Sequence, residues 1–253
     1  MPQERTVAIV TGAARPWGLG RAAALALARK GIAIAIADIR DDWGKKAAEA
    51  IARETGREAL FVQTDVTSRA SVEAMVKSVV SSWGRIDILA NIAGIVARER
   101  VEEVKDETFD RLVNVNLRGT FLACQAVIPV MRRQRSGRIV NIASGAAVQP
   151  IKGLGVYAAT KAGVNIFSKV LAWEVAPYGI IVTVVAPGRI ITNMGQESGP
   201  EEEAFAAEVR GSPYMRAQRP EEVAGVVAFA ATEPGIAMAG QTFHANGGSY
   251  MVF

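Results

Sequence analysis

Two rhythms of apolar and polar positions alternate along this chain. Short β-branched or apolar runs recur at Thr6–Thr11, Ala33–Ala37, Ala59–Gln63, Ile86–Asn91, Arg138–Ala143, Ile180–Val185 and Gln241–Ala245. Longer stretches with helical periodicity fall between them, near 18–30, 42–55, 69–83, 107–134, 157–176 and 220–231. Strand and helix in strict alternation predict an α/β fold: a doubly wound parallel sheet with helices on both faces. In such sheets ligands bind beyond the carboxyl ends of the strands, near the point where strand order reverses. The residues that follow the predicted strands are Gly12, Asp38, Asp65, Asn91 to Gly94, Ser144 and Pro187-Gly188. Nearly every chemically suggestive side chain therefore belongs to one edge.

Composition narrows the picture. At 253 residues, 50% of them hydrophobic and 6% aromatic, the chain suits one large domain dominated by Ala, Val and Ile. No linker, repeat or low-complexity tract divides it, so residues 1–253 are read as a single domain, with a long irregular substrate loop at about 189–219. The net charge of +4 comes from scattered residues, which argues against a nucleic-acid surface. Cys124 is the only cysteine and sits in an apolar helical run, as a buried structural thiol would. One histidine, His244, cannot build a metal cluster, so no metal is expected. The N-terminal stretch lacks a signal pattern and no apolar run is long enough to span a bilayer, so a cytoplasmic protein without a membrane partner is expected.

The chemistry concentrates at Tyr157 and Lys161. Four residues apart on a predicted helix, they share one face. An ammonium held there favours phenolate, and about three units of depression from ~10, roughly 4 kcal/mol, makes a useful base near neutrality. The plain alternative is a surface Tyr and Lys on a common face. Upstream, Gly12, Gly18 and Gly20 join the first strand to the first helix, where bare backbone and a helix N-terminus suit a pyrophosphate. Asp38 closes the second strand, and a carboxylate there accepts from both ribose hydroxyls and repels a 2′-phosphate, favouring NAD over NADP. Arg15 and Arg40 argue the other way, since either can pair with that phosphate. Asp65 is read either as an adenine contact or as a turn-forming residue.

Motifs spread over essentially the whole chain resemble the short-chain dehydrogenase/reductase family. They are the TGAA…GLG turn at 11–20, Asp65-Val66, Asn91-Ile92-Ala93-Gly94, Asn114-Val115-Asn116-Leu117, Ser144, Tyr157 with Lys161, Pro187-Gly188 with Thr192, and Asn246-Gly247-Gly248. The resemblance implies a Rossmann-type seven-stranded sheet, a nicotinamide cofactor and a homotetramer, or failing that a homodimer. It implies a catalytic set of Asn116, Ser144, Tyr157 and Lys161. Tyr157 would exchange a proton with the substrate oxygen, Ser144 would hold that oxygen, Lys161 would bind the nicotinamide ribose, and Asn116 would hold a relay water. Cofactor contacts would come from the glycine turn with Arg15, Trp17 and Leu19, and from Asp38, Ile39, Asp65, Val66, Ala93 and Gly94. Asn91 would tie neighbouring strands, Pro187 and Gly188 would turn beneath the nicotinamide, and Ile190 and Thr192 would bind its carboxamide.

Two features depart from the family pattern. Five residues separate Gly12 from Gly18, two more than usual, and Trp17 in that longer turn reads as a lid or as a packing plug. Asn246 stands where the family often has Asp. Ser144, Tyr157, Ala146, Gln149 and Met194 are the expected substrate contacts, for a secondary alcohol or ketone with an apolar body. Phe205, Tyr214 and Met215 are candidate lid residues, with Glu197, Glu201, Glu202, Glu203 and Glu208 as the wet face of a short helix. The apolar end Tyr250, Met251, Val252 and Phe253 suits burial against a second subunit. Trp173 lies where acyl-carrier-protein reductases of the family usually carry Arg, which places an NADPH-dependent 3-oxoacyl thioester reductase second to an NAD-linked alcohol dehydrogenase or ketone reductase. A non-catalytic nicotinamide sensor is a distant third, since both Tyr157 and Lys161 are retained.

Overall fold

A computed structural model describes residues 5–192, 194, 212–233 and 235–251. Seven strands form one sheet: β1 (Val7–Thr11), β2 (Ala33–Asp38), β3 (Ala59–Gln63), β4 (Ile88–Asn91), β5 (Gly137–Ile142), β6 (Ile180–Pro187) and β7 (Thr242–Ala245). Their order is β3-β2-β1-β4-β5-β6-β7, and every neighbouring pair is parallel. The helices are α1 (Leu19–Arg29), α2 (Asp41–Thr55), α3 (Arg69–Trp83), α4 (Asp106–Leu112), α5 (Gly119–Gln134), α6 (Gly155–Val175) and α7 (Pro220–Thr232).

The side-chain period of two sorts each strand onto two cores. Ala8, Val10, Ile34, Ile36, Ile88 and Val140 face α1, α2 and α7, meeting Leu27, Ile51 and Val227. Val7, Ile9, Ala35, Leu89, Ile139 and Val182 face α3, α5 and α6, meeting Met75, Met131 and Leu171. Since both faces are covered, the strands read as continuous apolar runs rather than as alternation. Strand order reverses beside β1, so the carboxyl ends of β1 and β4 open the crevice where ligands bind in sheets of this kind.

Predicted and observed strands agree to within about two residues, the usual latitude at element ends. One helix differs. The stretch predicted as continuous over 107–134 is α4, then a wider π-helical stretch at Val113–Arg118, then α5. Apolar periodicity does not register such an insertion, which carries Asn116 with the tertiary hydrogen bonds described below. The stretch expected as a substrate loop has a bridge at its base between Ile190 and Gln218. Ile191 N donates to Gln218 O at 2.9 Å, and Gln218 N donates to Arg189 O at 2.9 Å. Glu197, Glu201, Glu202, Glu203, Phe205 and Glu208 of that loop, and Val252 and Phe253 at the end of the chain, lie outside the described residues.

Candidate active site

A cavity of about 510 Å³ runs along the carboxyl edge of the sheet. One end is the glycine turn. Gly12 has φ of +66°, and a Cβ on it would lie 2.7 Å from the Ala93 Cα. A Cβ on Gly20 would lie 2.2 Å from the Gly12 carbonyl oxygen. Only bare backbone fits, and the first turn of α1 starts at Gly18 with no side-chain cap. Thr11 completes the join: its Oγ1 accepts from Ile92 N at 3.0 Å and from Ala93 N at 3.1 Å. Uncapped helical N–H groups beside a side-chain-free wall fit a pyrophosphate, and the volume suits a dinucleotide.

The adjoining wall carries Asp38, Ile39, Arg40 and Trp43. Asp38 is fixed by backbone: Oδ2 accepts from Ala14 N at 3.0 Å, and Oδ1 accepts from Arg40 N at 3.1 Å. Trp17 packs edge-on against Trp43 with ring centroids 5.7 Å apart, behind the wall that Trp43 itself forms. The geometry is that of a plug. The Arg40 guanidinium sits 4.1 Å from the Trp43 ring centroid and that of Arg15 sits 5.3 Å from it. Trp43 escaped sequence reasoning because one aromatic on an amphipathic helix reads as packing; its place five residues past Asp38 was the available signal.

Asp65 forms the turn that its alternative reading described, with Oδ1 accepting from Thr67 N at 2.8 Å and Thr67 Oγ1 at 2.7 Å, while also lining the cavity beside Val66. Asn91 lies behind the wall and donates through Nδ2 to Asn141 Oδ1 at 2.8 Å, across from β4 to β5. Burial pushes the adjacent Cys124 thiol up to about 12, which leaves it inert.

At the other end stand Ser144, Tyr157, Lys161, Pro187, Gly188, Ile190, Thr192 and Met194. Lys161 is buried, and its Nζ donates to the Ile142 carbonyl at 2.8 Å. Asn116 is fully buried in the π-helical stretch. Its Oδ1 accepts from Ile95 N at 2.8 Å, and its Nδ2 donates to Ile95 O at 2.9 Å and to Thr160 Oγ1 at 3.2 Å. Gly94 threads between the two: a Cβ there would lie 3.2 Å from Asn116 Oδ1 and 3.5 Å from Lys161 Nζ. Arg111 and Val115, absent from the sequence-based set, join this wall from α4 and the π-helical stretch. Ala146 is buried inside the turn after Ser144, and Gln149 is exposed beyond the wall, so these two expected substrate contacts are not brought to the cavity.

One electrostatic expectation is corrected. Burial pushes the Tyr157 phenol above its ordinary value, and a hydrogen bond from Ser144 pulls it only partly back. Lys161 does not win: burial drives the amine down to about 8. Both shifts run toward the neutral form for one reason, since taking either charge out of water costs more than the neighbouring protein groups return.

A glycine turn at the sheet switch point, joined by one cavity to a Tyr–Lys–Ser cluster with a buried lysine, defines a nucleotide-dependent oxidoreductase of Rossmann type. The family model described as short chain dehydrogenase matches residues 6–203. The chain belongs to that family, and with it to the NAD(P)-dependent oxidoreductases acting on CH–OH or keto groups. Among its relatives is a 3-oxoacyl-(acyl-carrier-protein) reductase of Synechocystis sp., 39% identical over 246 residues, which cover 97% of each chain. Another is the 3-oxoacyl-(acyl-carrier-protein) reductase FabG of Escherichia coli K12, 38% identical and covering 98% of this chain and 99% of the relative. The crystal structure of L-sorbose reductase from Gluconobacter frateurii, complexed with NADPH and L-sorbose, superposes with a TM-score of 0.91. It is 30% identical, and the match covers 99% of this chain and 98% of that one. Among the described residues no helix is long and apolar enough to cross a membrane, and no group of three or more acidic, His or Cys side chains is arranged to hold a metal.

Burial of Lys161 has a measurable cost. Its amine titrates near 8 when folded and near 10.5 when unfolded, so the unfolded chain binds more protons between those values and stability rises with pH across that window. Lys161→Met is expected to raise the melting temperature at pH 7 by several degrees, with the advantage shrinking toward pH 10.5. Thermal melts of both proteins across pH 7 to 10.5 check it.

Proposed function

We propose that this protein reduces the 3-keto group of a 3-oxoacyl thioester to a hydroxyl, with Tyr157, Ser144, Lys161 and Asn116 as its working residues. The observation that carries the reading is that Ser144, Tyr157 and Lys161 end the same cavity that begins at the glycine turn. A bound nicotinamide supplies the hydride to the substrate carbon. Tyr157 donates its phenolic proton to the carbonyl oxygen as negative charge develops there, and the Ser144 hydroxyl donates a second hydrogen bond to that oxygen. Gly12, Gly18 and Gly20 with the start of α1 would hold the pyrophosphate, Lys161 the nicotinamide ribose, and Ile190 and Thr192 the carboxamide. Asn116 clamps Ile95 and thereby the Gly94 backbone alongside Lys161.

The protonation state of Tyr157 suits proton donation, the step that ketone reduction requires, near neutral pH. A phenol raised by burial is fully protonated near neutral pH and is ready to donate, whereas alcohol oxidation needs phenolate first. Two curated relatives named as 3-oxoacyl reductases support the thioester class. Apolar Ile95, Val115 and Met194 on the wall suit an acyl chain. Trp173 is exposed on α6, and an indole there offers nothing to an acidic carrier, so coenzyme A thioesters are included as substrates.

For the cofactor, NADH is the reading that Asp38 supports. Its carboxylate is held by two backbone N–H groups and cannot turn away from a 2′-phosphate, while the Arg15 and Arg40 guanidinium groups are stacked on Trp43. NADPH is the second reading, favoured by the same two cations at the wall and by the NADPH-bound L-sorbose reductase. The exposed Ile166, Val170 and Trp173 on α6 support self-association, as the expected homotetramer requires.

Tyr157→Phe is expected to lose at least about 100-fold in kcat while cofactor affinity holds, because proton donation is removed and packing is kept. Steady-state kinetics and cofactor titration check both halves. Direct titration should show NADH bound more tightly than NADPH, with Asp38→Ala narrowing or reversing the order; tighter NADPH binding by the parent overturns the Asp38 argument. In a panel of 3-oxoacyl thioesters, simple ketones and ketoses scored by loss of reduced-cofactor absorbance, the thioesters should give the highest kcat/KM.

A further inference from the structure

A tight turn at Asn246–Tyr250 follows β7, and Asn246 builds it. Asn246 Nδ2 donates to Tyr250 O at 2.7 Å, Gly248 N donates to Asn246 Oδ1 at 2.8 Å, and Ser249 Oγ donates to Asn246 O at 2.6 Å. The turn swings the Tyr250 ring back over the sheet edge, edge-on to His244, with its hydroxyl 3.4 Å from the Ala186 carbonyl oxygen. There the ring occupies the place where a side chain on residue 145 would be. A Cβ on Gly145 would lie 2.3 Å from Tyr250 Cε1 and 2.8 Å from its oxygen. Gly145 directly follows Ser144 and opens the 3-10 turn whose Ala146 N donates to Ser144 Oγ. The same turn presses on the opposite lip of the cavity: a Cβ on Gly188 would lie 2.9 Å from the Asn246 Cα, and Gly188 N donates to Ala245 O at 3.0 Å. Neither Tyr250 nor Asn246 lines the cavity.

We propose that Tyr250 is a positioning residue for the reaction: its ring, seated on Gly145, fixes the backbone from which the Ser144 hydroxyl reaches the Tyr157 phenol. The inference rests on the roles assigned to Ser144 and Tyr157 above. Tyr250 is only half-buried, so its contribution to the core is modest, and its ring fills the space beside the one residue that follows Ser144. A side chain that acts in this way changes the alignment of a hydroxyl without touching the substrate, and sub-ångström misalignment costs rate rather than binding.

The test is a double-mutant cycle on Tyr250→Ala and Gly145→Ala, with Tyr250→Phe and Ser144→Ala alongside. Each protein is assayed for kcat at saturating cofactor with a 3-oxoacyl thioester, for the pH profile of kcat in the reducing direction, and for cofactor affinity. Tyr250→Ala should lower kcat by about ten-fold with cofactor affinity within about two-fold. The alkaline limb of its profile should move to higher pH, since a loosened Ser144 no longer draws the phenol down. Tyr250→Phe keeps the ring and should retain most of the rate. Gly145→Ala should cost less in the Tyr250→Ala background than alone, because the collision is gone. If Tyr250→Ala keeps its rate, or loses rate with an unmoved profile and an additive cycle, the proposal is overturned and Tyr250 is merely structural. Should Tyr250→Ala not fold, Gly145→Ala and Tyr250→Phe carry the test: Gly145→Ala must move the same alkaline limb, and an unmoved limb overturns the proposal. Full turnover by Ser144→Ala would instead bring down the catalytic reading, and the positioning role with it. An impaired Ser144→Ala beside an unimpaired Tyr250→Ala removes the positioning role alone.

Discussion

The site depends on holding an amine out of water. Lys161 is enclosed between β5 and the Asn116 clamp, with one carbonyl as its anchor, and the enclosure drags its titration from the ordinary lysine range to about 8. A surface lysine would be a stable cation with a full hydration shell and little influence beyond it. An enclosed one is uneasy in its charged form, so it has a strong free-energy incentive to share hydrogen bonds with whatever hydroxyl or phenolic groups come within reach. The features around it follow from that arrangement. Gly94 leaves little room for a side chain between Lys161 and Asn116, Asn116 spends its amide on the Ile95 backbone and the Thr160 hydroxyl, and the helix that carries Asn116 widens there.

This changes how the Tyr–Lys pair is understood. Helical spacing indicated that the two side chains share a face, and from there Coulomb attraction alone argued for a depressed phenol. Burial acts on both partners at once and works against both charges. In the protein by itself tyrosine stays a phenol, a ready acid, beside an amine whose charge burial has weakened. Ser144, through its hydrogen bond, is the group that moderates the phenol, which is why the support beneath Ser144 matters as much as the spacing to Lys161.

Much of the fold was legible because parallel strands covered on both faces leave an unmistakable mark: β1, with every residue buried, is apolar from Val7 to Val10. The chemistry was legible where it falls just after a strand, as at Asp38 and Ser144. Three kinds of feature were not. The π-helical stretch has no period of its own, and Asn116 within it finds its backbone partner twenty-one residues away at Ile95. Trp43 and Thr11 act through contacts with segments distant in sequence. The exposure of Gln149 depends on how a turn leaves the sheet, which side-chain type does not specify. In each case the missing information is tertiary, so local pattern had nothing to register.

The hydrogen-bonded tie between Ile190 and Gln218 separates two jobs that the same strand exit must perform. On the sheet side of the knot, Pro187 and Gly188 keep their place whatever lies beyond. The lip of the cavity at Pro187 and Gly188 is thus anchored short of the chain that follows, and the sheet itself sets the floor on which any ligand would rest.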